Sequence, residues 1–108
     1  MREVRIDRFG GPDELYVADA PQPTPGPGEV LIKVRAAGVN PLDYKTRDGS
    51  SGLARNIRPE DFPLVLGREA SGTVTALGEG VTRFAVGQPV FGMAALAHPG
   101  RCSAEYAA

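Results

Sequence analysis

Residues 29–43 read EVLIKVRAAGVNPLD, a strand pattern followed directly by a helix start. Apolar and polar side chains alternate over residues 29–37, which predicts a half-buried strand with two distinct faces. One face would carry Val30, Ile32, Val34 and Ala36. Leu31 would share the opposite face with Lys33 and Arg35. This is the clearest strand signal in the chain.

A short helix is predicted immediately after this strand. Asn40 can cap the first turn, Pro41 suits the first helical position, and Asp43 falls where a carboxylate can accept from exposed backbone N–H groups. The glycine- and serine-rich run 48–52 is expected to end the helix. Residues 53–63 are polar and show no clear period, so we expect an irregular, mobile segment there.

Further short strands are predicted on both sides of this unit. Upstream, Val4 and Ile6 alternate with charged neighbours, and residues 15–18 could pair with them. Downstream strands are predicted at 71–77, 90–93 and 103–107, with glycine turns at 78–80 and 86–87. Pro89 lacks a backbone donor, so its strand should begin late or lie at a sheet edge. Because no alternating strand–helix pattern is present, the sequence favours an all-β barrel or sandwich over a parallel sheet.

Composition excludes several classes of function. The 108 residues suit one domain, and twelve basic against thirteen acidic residues favour neither nucleic acid nor an anionic membrane as partner. With Cys102 as the one cysteine and His98 as the one histidine, neither an internal disulfide nor a Cys/His zinc site is expected. Residues 1–11 do not read as a signal peptide, and no apolar run suits a membrane span. A cytoplasmic location is therefore expected.

Seven short motifs follow one another in a characteristic order between Phe9 and Tyr106. They are FGGP at 9–12, PGPGEVLIKV at 25–34, AAGVNPLD at 36–43, GREASG at 67–72, LGEGV at 77–81, VG at 86–87 and AEY at 104–106. Together they resemble the N-terminal, GroES-like (alcohol dehydrogenase-like) domain of the medium-chain dehydrogenase/reductase superfamily, and most of all its zinc-independent NADPH:quinone oxidoreductase branch. The resemblance implies a mainly β, partly open GroES-like barrel over residues 1–108, with one or two short helices.

Two substitutions bear on the metal expected from this resemblance. In zinc-dependent members a cysteine and a histidine of this domain hold a catalytic zinc, and the corresponding positions here are Asn40 and Arg68. An amide is a poor zinc ligand and a guanidinium cannot serve as one. The four-cysteine zinc lobe of those relatives is also missing. The resemblance therefore implies zinc-independent chemistry and no metal site.

The resemblance further implies hydride transfer from NADPH to a quinone, an enone or a related conjugated carbonyl. The nucleotide would be held by a separate Rossmann domain, because residues 78–80 lack the third glycine and the following helix of a dinucleotide-binding turn. We interpret these glycines as a turn between strands. We expect the Rossmann domain and the closing strands to lie beyond residue 108, and the chain alone to be inactive and not to bind NADPH.

Two residues are candidates for catalysis and for contact with the cofactor. The amide of Asn40 could donate and accept hydrogen bonds near the nicotinamide carboxamide or the substrate carbonyl; a role as helix cap alone is the alternative. Lys45 could present its cation to a developing enolate or to a cofactor phosphate, and the alternative is a solvated lysine.

The candidate substrate and nicotinamide pocket comprises Asn40, Asp43, Tyr44 and Arg68. Arg68 either pairs with Asp43 or Glu69 in place of a metal centre or contacts the substrate directly. Asp43 has helix capping as its alternative role, and Tyr44 has packing. A single free thiol with no base beside it, such as Cys102, is more often inert than catalytic.

Two other classes of function stay open at this point. A co-chaperonin-like assembly protein would dock through a mobile loop, but residues 48–61 offer only Leu53 and Ile57 as a poor apolar anchor. A stand-alone binding module with the same barrel is the other. For the oxidoreductase domain itself, exposed strand edges and the missing interdomain partner favour self-association as a homodimer.

Overall fold

Two antiparallel sheets form the framework of this computed structural model, which describes residues 1–95, 98 and 100–108. The elements are β1 (Arg2–Ile6), β2 (Tyr16–Asp19), β3 (Val30–Ala37), α1 (Pro41–Asp48), β4 (Leu64–Val65), β5 (Glu69–Leu77), β6 (Pro89–Met93) and β7 (Tyr106–Ala107). Short 3₁₀ helices lie at Pro12–Glu14, Gly52–Asn56 and Pro59–Asp61. The predicted mainly β fold is confirmed, and the described strands leave the barrel open.

The strands are arranged as β2–β1–β4 in one sheet and β6–β5–β3–β7 in the other. Every strand pair of the two sheets is antiparallel. The sheets meet where Glu3 of β1 forms an isolated bridge with Ala104 and the backbone N–H of Val4 donates to Ser103. The strand predicted first, β3, is thus a central strand, paired with β5 on one side and β7 on the other.

The pairing of β3 with β5 is irregular at two points. The register shifts between Leu31 and Ile32, where β5 has the extra residue Thr75, and again between Val34 and Ala36, where β3 has the extra residue Arg35. Of the three residues expected on one face of β3, Leu31 is 2% exposed and belongs to the core, whereas Lys33 and Arg35 are exposed.

A small apolar core joins the two sheets. Its fully enclosed members are Ile6 on β1 and Val74 on β5. Leu31, Val65, Ala70, Cys102 and Ala107 complete it. At about 25 cal/mol per Å² of apolar surface removed from water, each large aliphatic member stabilises the fold by roughly 1.5–3 kcal/mol.

The helix α1 begins and ends as the sequence predicts. The Asn40 side-chain oxygen accepts from the backbone N–H of Leu42 at 2.9 Å, and Asp43 accepts from the backbone N–H of Asn40 at 2.9 Å. This reciprocal pair is a capping box. Gly49 adopts a left-handed conformation with φ 86° at the C-cap, which favours glycine.

The structure differs from the sequence-based predictions at three points and confirms a fourth. Residues 53–63 contain 3₁₀ turns rather than a wholly irregular loop, and β4, which follows, was not predicted. Two residues are too few for an alternating pattern, and β4 exists because Leu64 and Val65 pair with β1. The C-terminal strand is shorter than expected, at two residues. The strand that starts at Pro89 lies at a sheet edge, as predicted.

None of the helices in residues 1–95, 98 and 100–108 is both long enough and apolar enough to cross a membrane.

Candidate functional site

A cavity of about 670 Å³ lies between α1, the segment before β4, and the loop that precedes β7. We call it the α1 cavity. Its apolar lining comes from Leu53, Ile57, Pro63, Leu64, Val65 and Leu66. Its polar lining comes from Asp43, Thr46, Asn56, Asp61, Arg68, His98 and Arg101, together with the backbone of Gly67. The volume falls within the range of small-molecule sites, which are concave and mostly apolar with a few polar groups.

Asp43 connects the start of α1 to the turn between β4 and β5. Its carboxylate is 7% exposed and accepts from the backbone N–H of Asn40 at 2.9 Å and of Gly67 at 3.1 Å. The predicted capping role is therefore present, and Asp43 also lines the cavity. Gly67 adopts φ 99°, and a Cβ there would lie 2.6 Å from the backbone nitrogen of Ser103, so the turn depends on glycine at this position.

Arg68 lies in the cavity wall and forms no ion pair with a carboxylate among the residues that the structure describes. Its guanidinium donates from Nη1 to the carbonyl of His98 at 2.6 Å and from Nη2 to the carbonyls of Ala94 and Ala95 at 3.2 and 2.5 Å. Nε is buried, with no hydrogen-bond partner in the described part of the chain. The expectation that Arg68 pairs with Asp43 or Glu69 is wrong, because the carbonyls of the loop after β6 surround the guanidinium instead.

The remaining predicted site residues lie beside the cavity rather than in its lining. Asn40 caps α1 and is half-buried, with its side-chain oxygen already bonded to Leu42. Tyr44 is 46% exposed, and Lys45 is exposed with its Nζ 6.0 Å from the Tyr44 ring centre. Of the four predicted pocket residues, the structure brings Asp43 and Arg68 together in the α1 cavity.

The sequence did not indicate that His98 and Arg101 line a cavity. Nδ1 of His98 accepts from the backbone N–H of Gly100 at 3.0 Å, so its Nε2, 3.3 Å from Glu29, carries the proton of the neutral ring. Arg101 is exposed and has φ 65°, the one described residue other than glycine with positive φ. The proline and glycine at 99–100 signal a turn, but they do not indicate which cavity the turn borders.

Cys102 lies next to this loop and is poorly suited to nucleophilic chemistry. Its side chain is 7% exposed, and burial raises the pKa of the thiol above its ordinary value, although the positive charge of Arg68 opposes that shift. A thiol held in the protonated form is a weak nucleophile. The structure therefore favours the expectation that the thiol of Cys102 is inert.

The glycines at 78–80 form the predicted turn, within the connection between β5 and β6. The backbone N–H of Gly78 donates to Glu29 at 2.7 Å, and a Cβ on Gly78 would collide with the carbonyl of Gly26. Gly78 therefore packs against the preceding connector, whereas a Cβ on Gly80 would have nothing within 4 Å, so the two glycines do not share one phosphate cradle. In the described residues no group of three or more His, Cys, Asp or Glu side chains could hold a metal ion.

Residues 26–107 match the model of the alcohol dehydrogenase GroES-like domain, and the chain belongs to that family. It is the domain type found in the medium-chain dehydrogenase/reductase superfamily, as the order of motifs indicated. Among curated proteins it is similar to the chloroplastic quinone-oxidoreductase QR1 of Triphysaria versicolor, with 37% identity over 86% of this chain and 28% of that protein.

Solved structures show the same relationship. The quinone oxidoreductase from Coxiella burnetii superposes with a TM-score of 0.88 and 40% identity, over 98% of this chain and 33% of that chain. The mycobacterial Rv1454c complexed with NADPH has a TM-score of 0.82 and 38% identity, over 98% of this chain and 30% of that one. The chain thus spans about a third or less of the length of these relatives, and its GroES-like fold is confirmed.

Proposed function

We propose that this chain is the substrate-side domain of a zinc-independent, NADPH-dependent oxidoreductase that transfers hydride to a quinone, an enone or a related conjugated carbonyl. The similarity to quinone oxidoreductases supports the reaction class, and the similarity to a structure complexed with NADPH supports the cofactor. NADPH supplies the hydride when it is bound. The chain's own residues bind and orient the carbonyl substrate.

The observation that carries the zinc-independent part of the proposal is the environment of Arg68. This residue takes the position at which zinc-dependent relatives have a histidine ligand, and its guanidinium is enclosed by three backbone carbonyls. A guanidinium has five donors and no lone pair for a metal, and its positive charge would repel Zn²⁺. The residues present therefore do not fit a zinc ion. The guanidinium of Arg68, rather than a metal ion, supplies the positive charge at the α1 cavity.

The glycines at 78–80 are not a phosphate cradle of the dinucleotide-binding type. The carbonyl of Gly26 closes the approach to Gly78, and the sequence lacks the third glycine and the helix that such a turn needs. We therefore propose that a Rossmann domain outside this chain holds the nucleotide, that the chain alone binds no NADPH, and that it has no activity alone. The coverage of 28–33% of the relatives' length supports this division.

Asn40 and Lys45 are the proposed catalytic side chains, and Tyr44 is proposed as a neighbouring residue of the substrate pocket. The side-chain oxygen of Asn40 is bonded to Leu42, so its amide NH₂ group is the part that can donate to the carbonyl oxygen of a substrate. Such donors stabilise negative charge that develops on oxygen during hydride transfer. Lys45, exposed on the following turn of α1, would add a positive charge at that oxygen or at a cofactor phosphate.

A chimaeric enzyme tests the proposal directly. The N-terminal third of the Coxiella burnetii quinone oxidoreductase would be replaced by this chain, since the two superpose with a TM-score of 0.88. We expect the chimaera to oxidise NADPH when p-benzoquinone or an enone is added, with no dependence on added zinc or chelator. A chimaera that folds and binds NADPH but reduces none of these substrates would contradict the proposal.

The variant Asn40→Asp separates catalysis from capping in this chimaera. Aspartate caps a helix as well as asparagine does, so the stability should change by less than about 0.5 kcal/mol. The amide donors are lost, and we expect kcat/KM to fall roughly 10- to 100-fold. Unchanged kcat/KM would show that Asn40 acts only as a helix cap.

Three further points belong to the proposal. The chain alone should give no saturable change in nicotinamide fluorescence on titration with NADPH, and saturable binding would show a nucleotide site built from this chain. A cytoplasmic location is proposed and can be checked by imaging a tagged full-length protein.

A homodimer is proposed because Phe91 on the edge strand β6 is 90% exposed. Light scattering that shows a monomer would overturn the homodimer. A heptamer would instead support the co-chaperonin-like alternative.

A further inference from the structure

The α1 cavity has one wall that carries positive charge without paired carboxylates. Arg68 and Arg101 both line this wall. No ion pair involves either residue in the described part of the chain. Residues 96, 97 and 99, outside that part, are leucine, alanine and proline and carry no carboxylate. Both charges are therefore available to a ligand.

The two carboxylates that also line the cavity already have partners of their own. Both oxygens of Asp43 accept from backbone N–H groups, those of Asn40 and Gly67. Asp61 accepts from the backbone N–H of Arg58 at 2.8 Å and lies 3.9 Å from the Arg58 guanidinium. The formal charges of the lining cancel, but the groups differ in what they already bind. Both carboxylates accept from backbone N–H groups and the Nη groups of Arg68 donate to three backbone carbonyls, whereas Arg101 has no hydrogen bond or ion pair within the described residues.

Arg68 and Arg101 would act in different ways. Arg68 is 7% exposed and its free Nε is enclosed, so its charge acts through space in a region of low dielectric. Arg101 is exposed, and its guanidinium can contact a ligand directly. Its φ of 65° is costly for a side chain other than glycine or asparagine, and strained backbone of this kind clusters at ligand sites.

A large part of the lining is apolar, with Leu53, Ile57, Leu64 and Leu66 among its members. An apolar lining in the same cavity as two arginines suits a molecule with a hydrophobic body and one anionic end. A guanidinium matches a planar carboxylate through two parallel hydrogen bonds.

We propose that the α1 cavity binds an apolar molecule that carries one carboxylate group, with Arg101 contacting the carboxylate and Arg68 supplying a second, buried positive charge. This inference rests on the proposed function for its role: the substrate would be a conjugated carbonyl compound that also bears a carboxylate. The binding itself requires neither NADPH nor turnover, so it can be measured on this chain alone.

A matched pair of probes tests the charge requirement. Cinnamate and cinnamamide have the same hydrophobic body and differ in the carboxylate, and their binding to the ¹⁵N-labelled chain can be followed by NMR titration. We expect cinnamate to bind about tenfold more tightly than cinnamamide, with shifts at Arg101, Gly67 and Leu64, and the difference to shrink as salt is added. Equal binding of the two probes, or binding of neither, would overturn the proposal.

Variants of Arg101 locate the effect. Arg101→Gln should abolish the preference for cinnamate, and Arg101→Lys should restore part of it, because the charge returns without the planar fork. Arg83→Gln is the matched control, since Arg83 is exposed and does not line the α1 cavity. An equal loss in the Arg83 and Arg101 variants would overturn the proposal, because it would show only an effect of net charge.

Inorganic phosphate separates a carboxylate site from a general anion site. At the same concentration as cinnamate, phosphate should displace little of the probe, because it has no apolar body to bury against Leu53 and Ile57. Full displacement by phosphate would overturn the assignment to an apolar carboxylate. If cinnamate binds as expected while the chimaera reduces no quinone or enone, the cavity assignment stands and the proposed oxidoreductase function fails.

Discussion

Asp43 provides the sharpest test of how the candidate site is held together. Its carboxylate joins the N-terminus of α1 to the turn before β5, through hydrogen bonds from Asn40 at 2.9 Å and Gly67 at 3.1 Å. Replacing it with alanine leaves two backbone N–H groups without acceptors. The Gly67 bond is buried, and an unsatisfied buried donor costs about 1–3 kcal/mol. The Asn40 bond is partly accessible to water, and loss of a capping interaction costs about 1 kcal/mol.

The expected free energy of unfolding therefore falls by roughly 2–4 kcal/mol in Asp43→Ala. For a domain of this size such a loss lowers the melting temperature by roughly 10–25 °C. Urea denaturation followed by circular dichroism measures the free energy, and a thermal scan measures the melting temperature. Asp43→Asn should show an intermediate loss, because an amide keeps one acceptor oxygen but turns its NH₂ group towards the second backbone donor.

Asp13→Ala is the control, because Asp13 is an exposed acid in the 3₁₀ turn Pro12–Glu14. A surface change of this kind should alter stability by less than about 0.5 kcal/mol. If Asp43→Ala unfolds within the same margin as the control, then the carboxylate does not hold α1 to the β4–β5 turn. The account of how the cavity is positioned would then be refuted.

Three further predictions concern the surroundings of the cavity. Gly67→Ala should lose more than about 2 kcal/mol of unfolding free energy, because φ is 99° and the added Cβ would lie 2.6 Å from the nitrogen of Ser103. Gly92→Ala is the control and should lose far less, because its Cβ would have nothing within 4 Å. Similar denaturation midpoints for the two variants would contradict this. The backbone N–H of Gly26, with a smaller effect of His98, lowers the pKa of Glu29 below its ordinary 4.5. The ionised Glu29 carboxylate therefore stabilises the folded chain above that pH. This stabilisation is lost as the pH falls through the lower pKa of the folded state. Acid titrations should therefore show a less steep loss of stability below about pH 4.5 in Glu29→Gln than in the unchanged chain, and parallel curves would exclude this contribution. Because burial raises the pKa of Cys102, a thiol reagent at pH 8 should label the native chain about 100-fold more slowly than the chain in urea; equal rates would show that the thiol is accessible.

The unit formed by β3 and α1 shows which structural features can be predicted from a short stretch of sequence. The cap at Asn40 and the stop at Gly49 depend on hydrogen bonds between residues close in sequence, so the residues themselves specify them. The strand at 30–37 was predictable for another reason: its apolar and polar side chains alternate with the period of a strand, although its partners β5 and β7 lie far away in sequence. The family followed from the same short motifs in order, and the match of residues 26–107 confirms it.

The cavity and the partners of Arg68 depend on contacts that no local pattern records. The carbonyls that surround the guanidinium lie 26 to 30 positions away, and the bond between Asp43 and Gly67 spans 24. The strand β4 exists because Leu64 and Val65 pair with β1. The helix was predictable from the sequence because its hydrogen bonds are local, and most strands were predictable because the alternation of apolar and polar side chains can be read along one segment. Which groups line the α1 cavity depends on the tertiary structure, because a buried charge bonds to whichever acceptors the packed chain brings within reach.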